Sequence, residues 1–436
     1  MRSGPARGAL RMTLAQLRLI LRRESRRMWV RATIYCGLAI VTALVGALVK
    51  TWIPESLAGR IGADSVGNLL GILAASMLAV TTFSLSTMVS AYSSASTSAT
   101  PRATRLLIAD SGAQGALATF IGAFLFAVVG LIALSTGIYG DSGRVVLFAA
   151  TVLVIVLITL TLLRWIEQLS SFGRLGATIN LVEDVTRRAV RQYAADPYLG
   201  AAPSPGVPAD ATAFEAQDIG YVEHIDVALL AAIAAEHDGE IHVMSLPGVF
   251  AAPGRALAAA RGLPATEDVT ARVRSAFTIS DERSFEQDPR YGFVVLTEIG
   301  SRALSASIND AGTAIDIIGT VTRLMCEWAR LGVPAAAAEI RHARVFVPAI
   351  DIDDVFGDLY PSLARDGAGL VEIGIRMQKG LAAIAASGDP VFAAAASRHA
   401  GLAMARAMTA LTFEPDRELL RRTVIEAGDS VDGRGG

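Results

Sequence analysis

The chain is poor in the residues that build disulfide scaffolds, collagen-like repeats and highly charged surfaces. Its 436 residues include 2 cysteines and 16 prolines, and 18% are charged, against about a quarter in an average soluble domain. These values exclude a disulfide-stapled secreted domain, a collagen-like chain and an intrinsically disordered one. Lysine occurs only as Lys50 and Lys379. The apolar share is high instead, at 52%, and its arrangement along the chain is informative.

The charges that do occur are unevenly distributed. Residues 1–31 contain nine arginines and one glutamate, and residues 32–165 have a net charge of +2. Because the whole chain has a net charge of −2, residues 166–436 carry −12. An acidic C-terminal part argues against nucleic acid as a partner, since phosphates attract a basic surface. The basic arm at 1–31 is typical of a segment that contacts the surface of a lipid bilayer.

Four apolar stretches follow the arm, at 32–49, 67–91, 115–138 and 145–165. Each is close to the roughly twenty residues that a helix needs to cross the hydrocarbon core, so the sequence predicts a four-span transmembrane domain over 32–165. Arginines concentrate in the arm, after the second span and after the fourth. By the positive-inside rule, both termini are expected in the cytoplasm of a bacterium, with the chain in the inner (plasma) membrane.

The second span has an unusual density of hydroxyl side chains. Five of them are candidates for lining a hydrated path: Thr81, Ser84, Thr87, Ser90 and Ser94. Hydroxyls in membrane helices also serve helix packing or bond to carbonyls of their own helix, and packing is the more common use. No span has an ionisable residue near its middle, which weakens the case for a proton-coupled transporter. The sequence remains compatible with a passive channel that selects ions through hydroxyls or backbone carbonyls.

The residues after the fourth span divide by composition into five segments. The amphipathic stretch 166–195 predicts a stalk helix that continues the span, and 196–213 is a proline-rich linker. Turn and strand patterns predict a small β-rich module at 214–265, and helical periodicity predicts a helical cytoplasmic domain at 266–425. Residues 426–436 are expected to form a disordered tail. The predicted fold class is a mainly α membrane protein with an α+β cytoplasmic domain.

Within the β-rich module, a strand near 219–226 is followed by a short helix, a second strand at 241–245, a Pro-Gly turn and a third short strand. This order resembles the β-hammerhead of biotinyl- and lipoyl-carrier modules. Such carriers are modified on a lysine, and neither Lys50 nor Lys379 lies in the module. The resemblance therefore implies the shape without the prosthetic group, and no cofactor is expected.

The densest group of polar residues is the segment 283–293, Arg-Ser-Phe-Glu-Gln-Asp-Pro-Arg-Tyr-Gly-Phe. In one interpretation Asp288 and Pro289 start a helix, because aspartate is a good N-cap and proline a good first helical residue. In the other, the segment and the turn at 309–310 form a polar site for an anionic ligand. Capping explains these residue types without a ligand and is the simpler interpretation. The candidate ligand-binding residues are Arg283, Glu286, Asp288, Arg290, Asn309 and Asp310.

Together these features resemble a bacterial family of predicted membrane proteins that is catalogued only as a domain of unknown function. The resemblance covers nearly the whole chain. Its marks are the four spans with a Ser/Thr-rich second one, the step Thr100-Pro101-Arg102, the pattern Gly-Tyr-Val-x-x-Ile-Asp at 220–226 and the motif Arg-x-Phe-Glu-Gln-Asp-Pro-Arg-Tyr-Gly at 283–292. It implies a membrane location and brings no established activity.

No catalytic or metal-binding pattern stands out in the sequence. The five histidines are scattered, the two cysteines lie 290 positions apart, and no phosphate-binding loop or nucleophile elbow is present. The acidic run of Asp351, Asp353, Asp354 and Asp358 lacks the ligand order of a calcium loop and is expected to cap a helix. An enzyme is therefore the weakest hypothesis.

Two functions remain in competition. The first is an oligomeric channel-like or transport-related assembly, with the second span nearest to the path and a cytoplasmic regulatory domain. The second is a membrane-anchored sensor or scaffold whose cytoplasmic domain binds a ligand or a protein partner. Small residues in the spans, and a stalk that cannot bury its apolar stripe alone, predict a homo-oligomer in both cases.

Overall fold

The computed structural model describes residues 63–108, 111–136, 140–171, 173–332 and 339–432, and in addition Thr33, Gly37 and Val41. Over these residues the protein is mainly helical and forms two compact units, which divide between Thr178 and Ile179. The basic arm at 1–31 lies outside the described residues, as does the first predicted span at 32–49 apart from three helical residues. The count of four spans therefore stays a prediction.

Three long apolar helices form the described part of the first unit, with a short helix between the first two. They are α1 (Ala63–Ser98), α2 (Pro101–Ile108), α3 (Ser111–Ser135) and α4 (Gly140–Ser171). The segments long and apolar enough to cross a membrane are Ser65–Ser98, Gly112–Ser135 and Gly143–Leu169. Each overlaps one of the predicted second, third and fourth spans, and these three predictions are confirmed as apolar helices.

α3 is the most buried of the three long helices and packs between the other two. α1 contacts it through one face, as the recurring spacings of three, four and seven residues show: Val66, Leu70, Leu73, Met77, Ser84, Met88 and Ala95. Gly130 of α3 leaves room for Leu70, because a Cβ atom there would lie 3.2 Å from the leucine side chain. The outer faces of α1 and α4 expose large apolar side chains, among them Phe83 and Leu153, which suits contact with lipid.

The fourth span does not continue into the stalk as one helix. α4 ends at Ser171, and α5 (Leu175–Ala195) begins after a turn at Gly173. Gly173 has φ +77°, a conformation that favours glycine, and an added Cβ atom would lie 3.0 Å from the Cβ atom of Ala91. The predicted continuous helix over 166–195 is therefore wrong. The amphipathic spacing of 166–195 does not reveal the break. The turn depends on the close approach of Gly173 to Ala91, which is distant in sequence.

The β structure of the second unit consists of two sheets. The strands are β1 (Ala201–Pro203), β2 (Thr212–Glu215), β3 (Gly220–Ile225), β4 (Glu240–Val243), β5 (Phe250–Ala251), β6 (Ala256–Arg261), β7 (Phe277–Ser280) and β8 (His342–Val347). The larger sheet has the order β1-β8-β4-β6-β2 and the smaller one β5-β3-β7. β8 pairs in parallel with β1 and with β4, whereas the remaining strand pairs are antiparallel.

The sheets do not coincide with the predicted β-rich module at 214–265. β1 lies in the predicted linker 196–213, and β7 and β8 lie in the predicted helical domain 266–425. The alanine-rich stretch of β6 is an inner strand of the larger sheet, between β4 and β2. The hammerhead is not confirmed, because its expected strands are divided between two sheets that strands from outside the module complete.

Eight helices lie between and after these strands in the described part of the second unit: α6 (Val227–Glu236), α7 (Glu267–Ser275), α8 (Pro289–Ala303), α9 (Ala311–Leu331), α10 (Ile352–Asp366), α11 (Val371–Ala385), α12 (Pro390–Ala410) and α13 (Glu414–Asp432). Trp328 of α9 is fully buried at their centre. Its ring centroid lies 5.6 Å from Tyr193 of α5, 5.9 Å from Phe293 of α8 and 6.0 Å from Phe392 of α12. This aromatic core fixes the position of α8, on which the candidate site is built.

The C-terminal helix extends further than the sequence predicts. α13 continues to Asp432, so residues 426–432 of the predicted disordered tail are helical, and residues 433–436 lie outside the described part. Near its start, Glu414 pairs with Arg417 and Arg421 at 3.2 and 2.8 Å. Such pairs, three and seven residues apart on a helix surface, support a helix in a polar sequence.

Candidate functional site

The segment 283–293 forms the start of α8, as the capping interpretation predicts. Asp288 is the N-cap, and its carboxylate accepts hydrogen bonds from the backbone N–H groups of Arg290 and Tyr291 at 3.1 and 3.2 Å. Pro289 is the first residue of the helix. The same carboxylate accepts a bond at 2.7 Å from Nε of Arg283. With three donors, Asp288 both caps the helix and holds Arg283 in place.

Asp288 is also the point where the Pro-Gly turn meets α8. Only 2% of its surface is exposed. Burial raises the pKa of Asp288, and the hydrogen bond from Arg283 opposes that rise. Gly248 packs directly on this carboxylate with φ +87°, and a Cβ atom at Gly248 would overlap with Oδ2 of Asp288. The Pro-Gly turn, Arg283 and the first residues of α8 are therefore held together by their contacts with Asp288.

Arg290 bonds to a different helix. Its Nη2 and Nε atoms lie 2.7 and 2.9 Å from Oδ2 of Asp358 on α10, and its Nη1 atom lies 3.7 Å from Asp354. The two aspartates are one helical turn apart and therefore share a face. The sequence predicts a capping run for both aspartates and does not indicate this role. Their spacing of four residues is the signal that could have revealed it.

Arg283 and Arg290 lie on the wall of a cleft of about 390 Å³, which we name the arginine cleft. Its charged lining also includes Asp354 and Asp358. The rest of the lining is mostly apolar and includes Tyr221, Met244 and Phe250. The rings of Tyr221 and Phe250 meet edge to face with centroids 5.3 Å apart, and Met244 and Phe250 are partly exposed to solvent. The cleft thus combines charged groups with an apolar surface, as small-molecule sites do.

The other predicted ligand residues do not line the arginine cleft. Glu286 is exposed. Asn309 and Asp310 are exposed at the start of α9, where the carboxylate of Asp310 accepts a bond from the N–H of Thr313 at 3.0 Å. Asn309 has φ +50°, which asparagine tolerates better than most residues. The structure therefore brings together Arg283, Asp288 and Arg290 of the predicted set. Of these the two arginines line the cleft, Asp288 is buried behind them, and the other three do not join them.

α5 contacts two segments that contribute residues to the cleft. Gly292 of α8, the helix that carries Arg290, lies so close to Thr186 that a Cβ atom on the glycine would overlap with Oγ1 of the threonine. The hydroxyl of Tyr193 accepts a hydrogen bond at 2.9 Å from the backbone N–H of Ile350, a residue that lines the cleft. The helix that follows the last described span is therefore packed against α8 and bonded to the segment at Ile350.

Five charged residues fasten α5 to α9. Glu183 accepts hydrogen bonds from Arg187 and Arg323 at 2.6 and 2.9 Å, and Glu327 accepts them from Arg187 and Arg191 at 3.1 and 2.7 Å. Burial acts to raise the pKa of Glu183 and of Glu327, but the bonds from the arginines outweigh it, and both pKa values lie below the ordinary one. The network keeps α5 in register with the aromatic core.

The hydroxyls singled out in the second span do not share one face of α1. Ser84 is 1% exposed, on the buried face of α1 that also carries Met77 and Met88, and its Oγ atom has no hydrogen-bond partner among the described residues. Thr81 and Thr87 are half-buried, and each donates to the carbonyl four residues earlier in its own helix. Ser90 and Ser94 are exposed on the outside of the unit. The position of Ser84 favours the packing interpretation for that residue.

The acidic run before and in α10 is used for capping and for ion pairs. Asp351 is the N-cap of α10 and accepts a bond from the N–H of Asp353 at 2.8 Å. Asp354 and Asp358 face Arg290. Over the residues that the structure describes, no group of three or more histidine, cysteine, aspartate or glutamate side chains is placed to hold a metal ion.

The similar proteins are named only as uncharacterized proteins. Over 130 residues, or 28% of this chain, the sequence is 32% identical to the uncharacterized protein Rv1290c of Mycobacterium tuberculosis and to the uncharacterized protein Mb1321c of Mycobacterium bovis. The match covers 24% of each relative, so the chain spans about a quarter of the length of the curated relatives it matches. No solved structure matches this chain. The model of the family described as "Predicted membrane protein (DUF2254)" matches residues 25–383, and the chain therefore belongs to this family of membrane proteins.

Proposed function

We propose that this membrane protein is a sensor anchored in the bacterial inner membrane, with both termini in the cytoplasm, whose second unit binds a small ligand in the arginine cleft. The observation that carries the proposal is the packing of α5. This helix follows the last described span. It contacts α8, the helix that carries Arg290, through Thr186 and Gly292, and it bonds through Tyr193 to Ile350, which lines the cleft. A ligand that moves the walls relative to each other changes the packing of the helix that leads back to the membrane.

The lining of the cleft favours a ligand with an anionic group and an apolar part. Arg290 is held by Asp358, so an anionic ligand competes with that aspartate for the guanidinium group. Tyr221 and Phe250 offer an apolar surface in the same cleft. Displacement of Asp358 from Arg290 loosens α10 from α8, and this is the movement that α5 would register. Neither step requires a catalytic residue.

The test uses the full chain in lipid nanodiscs. Thermal unfolding is measured with amino acids, mononucleotides and aromatic carboxylates as probes, because a ligand that binds the folded state raises Tm. Hydrogen–deuterium exchange is then measured with each stabilising probe. We expect slower exchange at 247–250 and 288–292, together with altered exchange in α5. Arg290→Gln should abolish the effect, whereas the control Arg398→Gln, which removes an exposed ion pair with Asp353, should preserve it.

Three outcomes would contradict parts of this proposal. A panel in which no probe raises Tm in a saturable way argues against ligand binding in the cleft. A probe that slows exchange at the cleft but leaves exchange in α5 unchanged supports binding in the cleft. It contradicts the proposed coupling between the cleft and α5. Stabilisation that survives Arg290→Gln places the ligand outside the arginine cleft.

A second function, a channel-like or transport-related homo-oligomer, is supported by the outer face of α1. Ser90 and Ser94 are exposed within a segment long enough to span the membrane. Hydroxyls at that depth prefer protein or water to lipid. In an oligomer with its α1 helices around a common axis, we propose that Ser90 and Ser94 line the path, whereas Ser84 packs against α3.

Reconstitution into a planar bilayer tests this second function. We expect a conductance that Ser90→Leu and Ser94→Leu reduce, because leucine narrows and dries the path. Leu153→Ala is the matched control, since Leu153 is 70% exposed on the outer face of α4 and does not line the proposed path. A bilayer that stays silent under varied voltage, tension and pH, or a native mass of one chain, would speak against a channel-like oligomer.

A further inference from the structure

A second cavity lies beside the arginine cleft, between α8 and α10. Its volume is about 670 Å³, and we name it the α8–α10 groove. Small-molecule sites have volumes of about 300–1,000 Å³, so the groove is large enough for a metabolite or a lipid head group. The residues on which the inference depends all line it: Thr297, Glu298 and Arg302 of α8, and Asp358 and Asp366 of α10.

Thr297 presents a hydroxyl without a partner. The residue is 3% exposed, and its Oγ1 atom has no hydrogen-bond partner among the described residues. Two other threonines of the second unit, the buried Thr186 and the half-buried Thr322, donate to the carbonyl four residues earlier at 2.6 and 2.7 Å. A buried hydroxyl with no partner is unfavourable, so such a group in a native protein calls for an explanation, and in a groove of this size a bound molecule provides one.

Arg302 differs from the arginines near it. Its Nε atom is shielded from solvent and has no acceptor in the described part of the chain. By contrast, Arg290 is paired with Asp358 and Arg365 with Asp366, both at 2.7 Å. Helical side chains lean toward the N-terminus of their helix, so Arg302 extends toward the turn of α8 that precedes it. An arginine in a groove whose Nε atom has no acceptor among the described residues is well suited to bind a phosphate group.

We propose that the α8–α10 groove binds a zwitterionic ligand whose phosphate group contacts Arg302 and Thr297. The guanidinium and hydroxyl donors match the several acceptor oxygens of a phosphate. Glu298 and Asp366 line the same groove. Their negative charges repel a ligand that is only anionic and attract an ammonium group next to the phosphate. This chemistry is shared by soluble phosphodiester amines and by the head group of phosphatidylethanolamine.

The groove site goes beyond the proposed sensor function and does not depend on it. Neither Thr297 nor Arg302 lines the arginine cleft. A cleft that binds nothing would therefore leave this inference intact, and the variants below separate the two sites.

Calorimetric titration of the full chain in detergent tests the site with three probes. Glycerophosphoethanolamine carries both charges, glycerol 3-phosphate only the negative charge and ethanolamine only the positive one. We expect glycerophosphoethanolamine to bind most tightly. Arg302→Gln should lower its affinity about tenfold or more, the usual size of a charge-assisted hydrogen bond, and Thr297→Val about threefold. Arg422→Gln, at an exposed arginine of α13, is the matched control and should bind as wild type does.

Thr297→Val keeps the shape of the side chain, and we expect its unliganded Tm to equal or exceed that of wild type. Weaker binding in this variant would therefore not come from unfolding. The proposal is overturned when wild type does not bind glycerophosphoethanolamine, when glycerol 3-phosphate binds equally well, or when Arg302→Gln binds as wild type does. Titration in nanodiscs then identifies the source. Weaker binding of the probe in phosphatidylethanolamine than in phosphatidylglycerol indicates that the lipid head group occupies the groove, and equal binding indicates a soluble ligand.

Discussion

The two units satisfy their polar side chains in opposite ways. In the first unit, hydroxyls bond within their own helix, as Thr151 does to the carbonyl four residues earlier at 2.7 Å. In the second unit, charged groups bond to partners far along the chain. Arg290 bonds to Asp358, 68 residues away, and Arg187 bonds to Glu327, 140 residues away. A hydroxyl that bonds within its own helix needs no polar neighbour, so such a helix is stable in lipid. Ion pairs between residues distant in sequence form only when the whole unit has folded.

This comparison indicates where a substitution does most damage. Removing a hydroxyl that bonds within its own helix leaves the helix ladder intact. Removing one member of a distant pair leaves a partly buried charge without a partner, which is costly. The following predictions test this difference, from the largest expected effect to the smallest.

Gly292→Ala should have the largest effect, because the new Cβ atom would overlap with Thr186 across the α5–α8 contact. We expect a loss of about 2–3 kcal/mol in the free energy of unfolding of the second unit, the size of a core overpacking. The free energy is measured by urea unfolding of the full chain, followed through hydrogen exchange in α8. Gly401→Ala is the control, since an added Cβ atom at that helical position would lie within 4 Å of no atom beyond its own stretch of helix, and it should stabilise by about 0.5–1 kcal/mol. Adding Thr186→Ala to Gly292→Ala should restore most of the loss, and a double variant as unstable as the single one would contradict the explanation.

Glu183→Gln should destabilise the second unit by about 2 kcal/mol, because Arg187 and Arg323 each lose a charge-assisted hydrogen bond. The matched control is Glu414→Gln, which breaks ion pairs of an exposed glutamate on α13 and should not change stability measurably. Equal effects of the two variants in urea unfolding would show that burial does not distinguish the two networks.

The pKa values of Glu183 and Glu327 predict how stability depends on pH. Both lie below the ordinary value of 4.5, so the folded state holds these protons less tightly than the unfolded chain does. The network therefore contributes its full stabilisation above pH 4.5, and this contribution is lost as the pH falls through the lowered pKa values. Unfolding midpoints of wild type and of Glu183→Gln should converge on acidification, and parallel curves would contradict the assignment.

Thr297→Val should raise the free energy of unfolding of the unliganded protein by about 1 kcal/mol, because it removes a buried hydroxyl that has no bond among the described residues. Thr322→Val is the control, since that hydroxyl donates to the carbonyl of Ile318 at 2.7 Å, and it should be neutral or mildly destabilising. Urea unfolding measures both variants, and a destabilised Thr297→Val would reveal a bond that this hydroxyl makes in solution.

Ser84→Ala should have the smallest effect. Its hydroxyl is buried and has no hydrogen bond among the described residues, and polar contacts between membrane helices contribute about 0.6 kcal/mol on average, so we expect a change of a few tenths of a kcal/mol. Thermal unfolding in detergent measures the change. A loss of several degrees in Tm would indicate that Ser84 bonds to a group outside the described residues.

Features that depend on neighbouring residues could be predicted from the sequence. The three described spans follow from aliphatic runs of sufficient length, and the caps Asp288 and Asp310 follow from residue types at the start of a periodic pattern. β3 agrees with the predicted strand near 219–226 for the same reason. In each case the deciding interactions lie within a few residues.

Features that depend on distant contacts could not be predicted. The bond between Arg290 and Asp358 requires α10 to lie beside α8, and β8 enters the larger sheet between β1 and β4 from a position far along the chain. The break at Gly173 depends on an approach to Ala91. The sequence predicts one site for Arg283 and Arg290 together with three other polar residues, Glu286, Asn309 and Asp310, because all are close in sequence. The fold does not bring these three to the cleft.

The position of Asp358 has a consequence for regulation. Its carboxylate lines both the arginine cleft and the α8–α10 groove. An occupant of the cleft that takes Arg290 would leave this negative charge uncompensated at the edge of the groove and would change the affinity there. Thermodynamic linkage requires that a ligand in the groove change the affinity of the cleft by the same factor. Two molecules of different chemistry would therefore affect each other's binding through one aspartate.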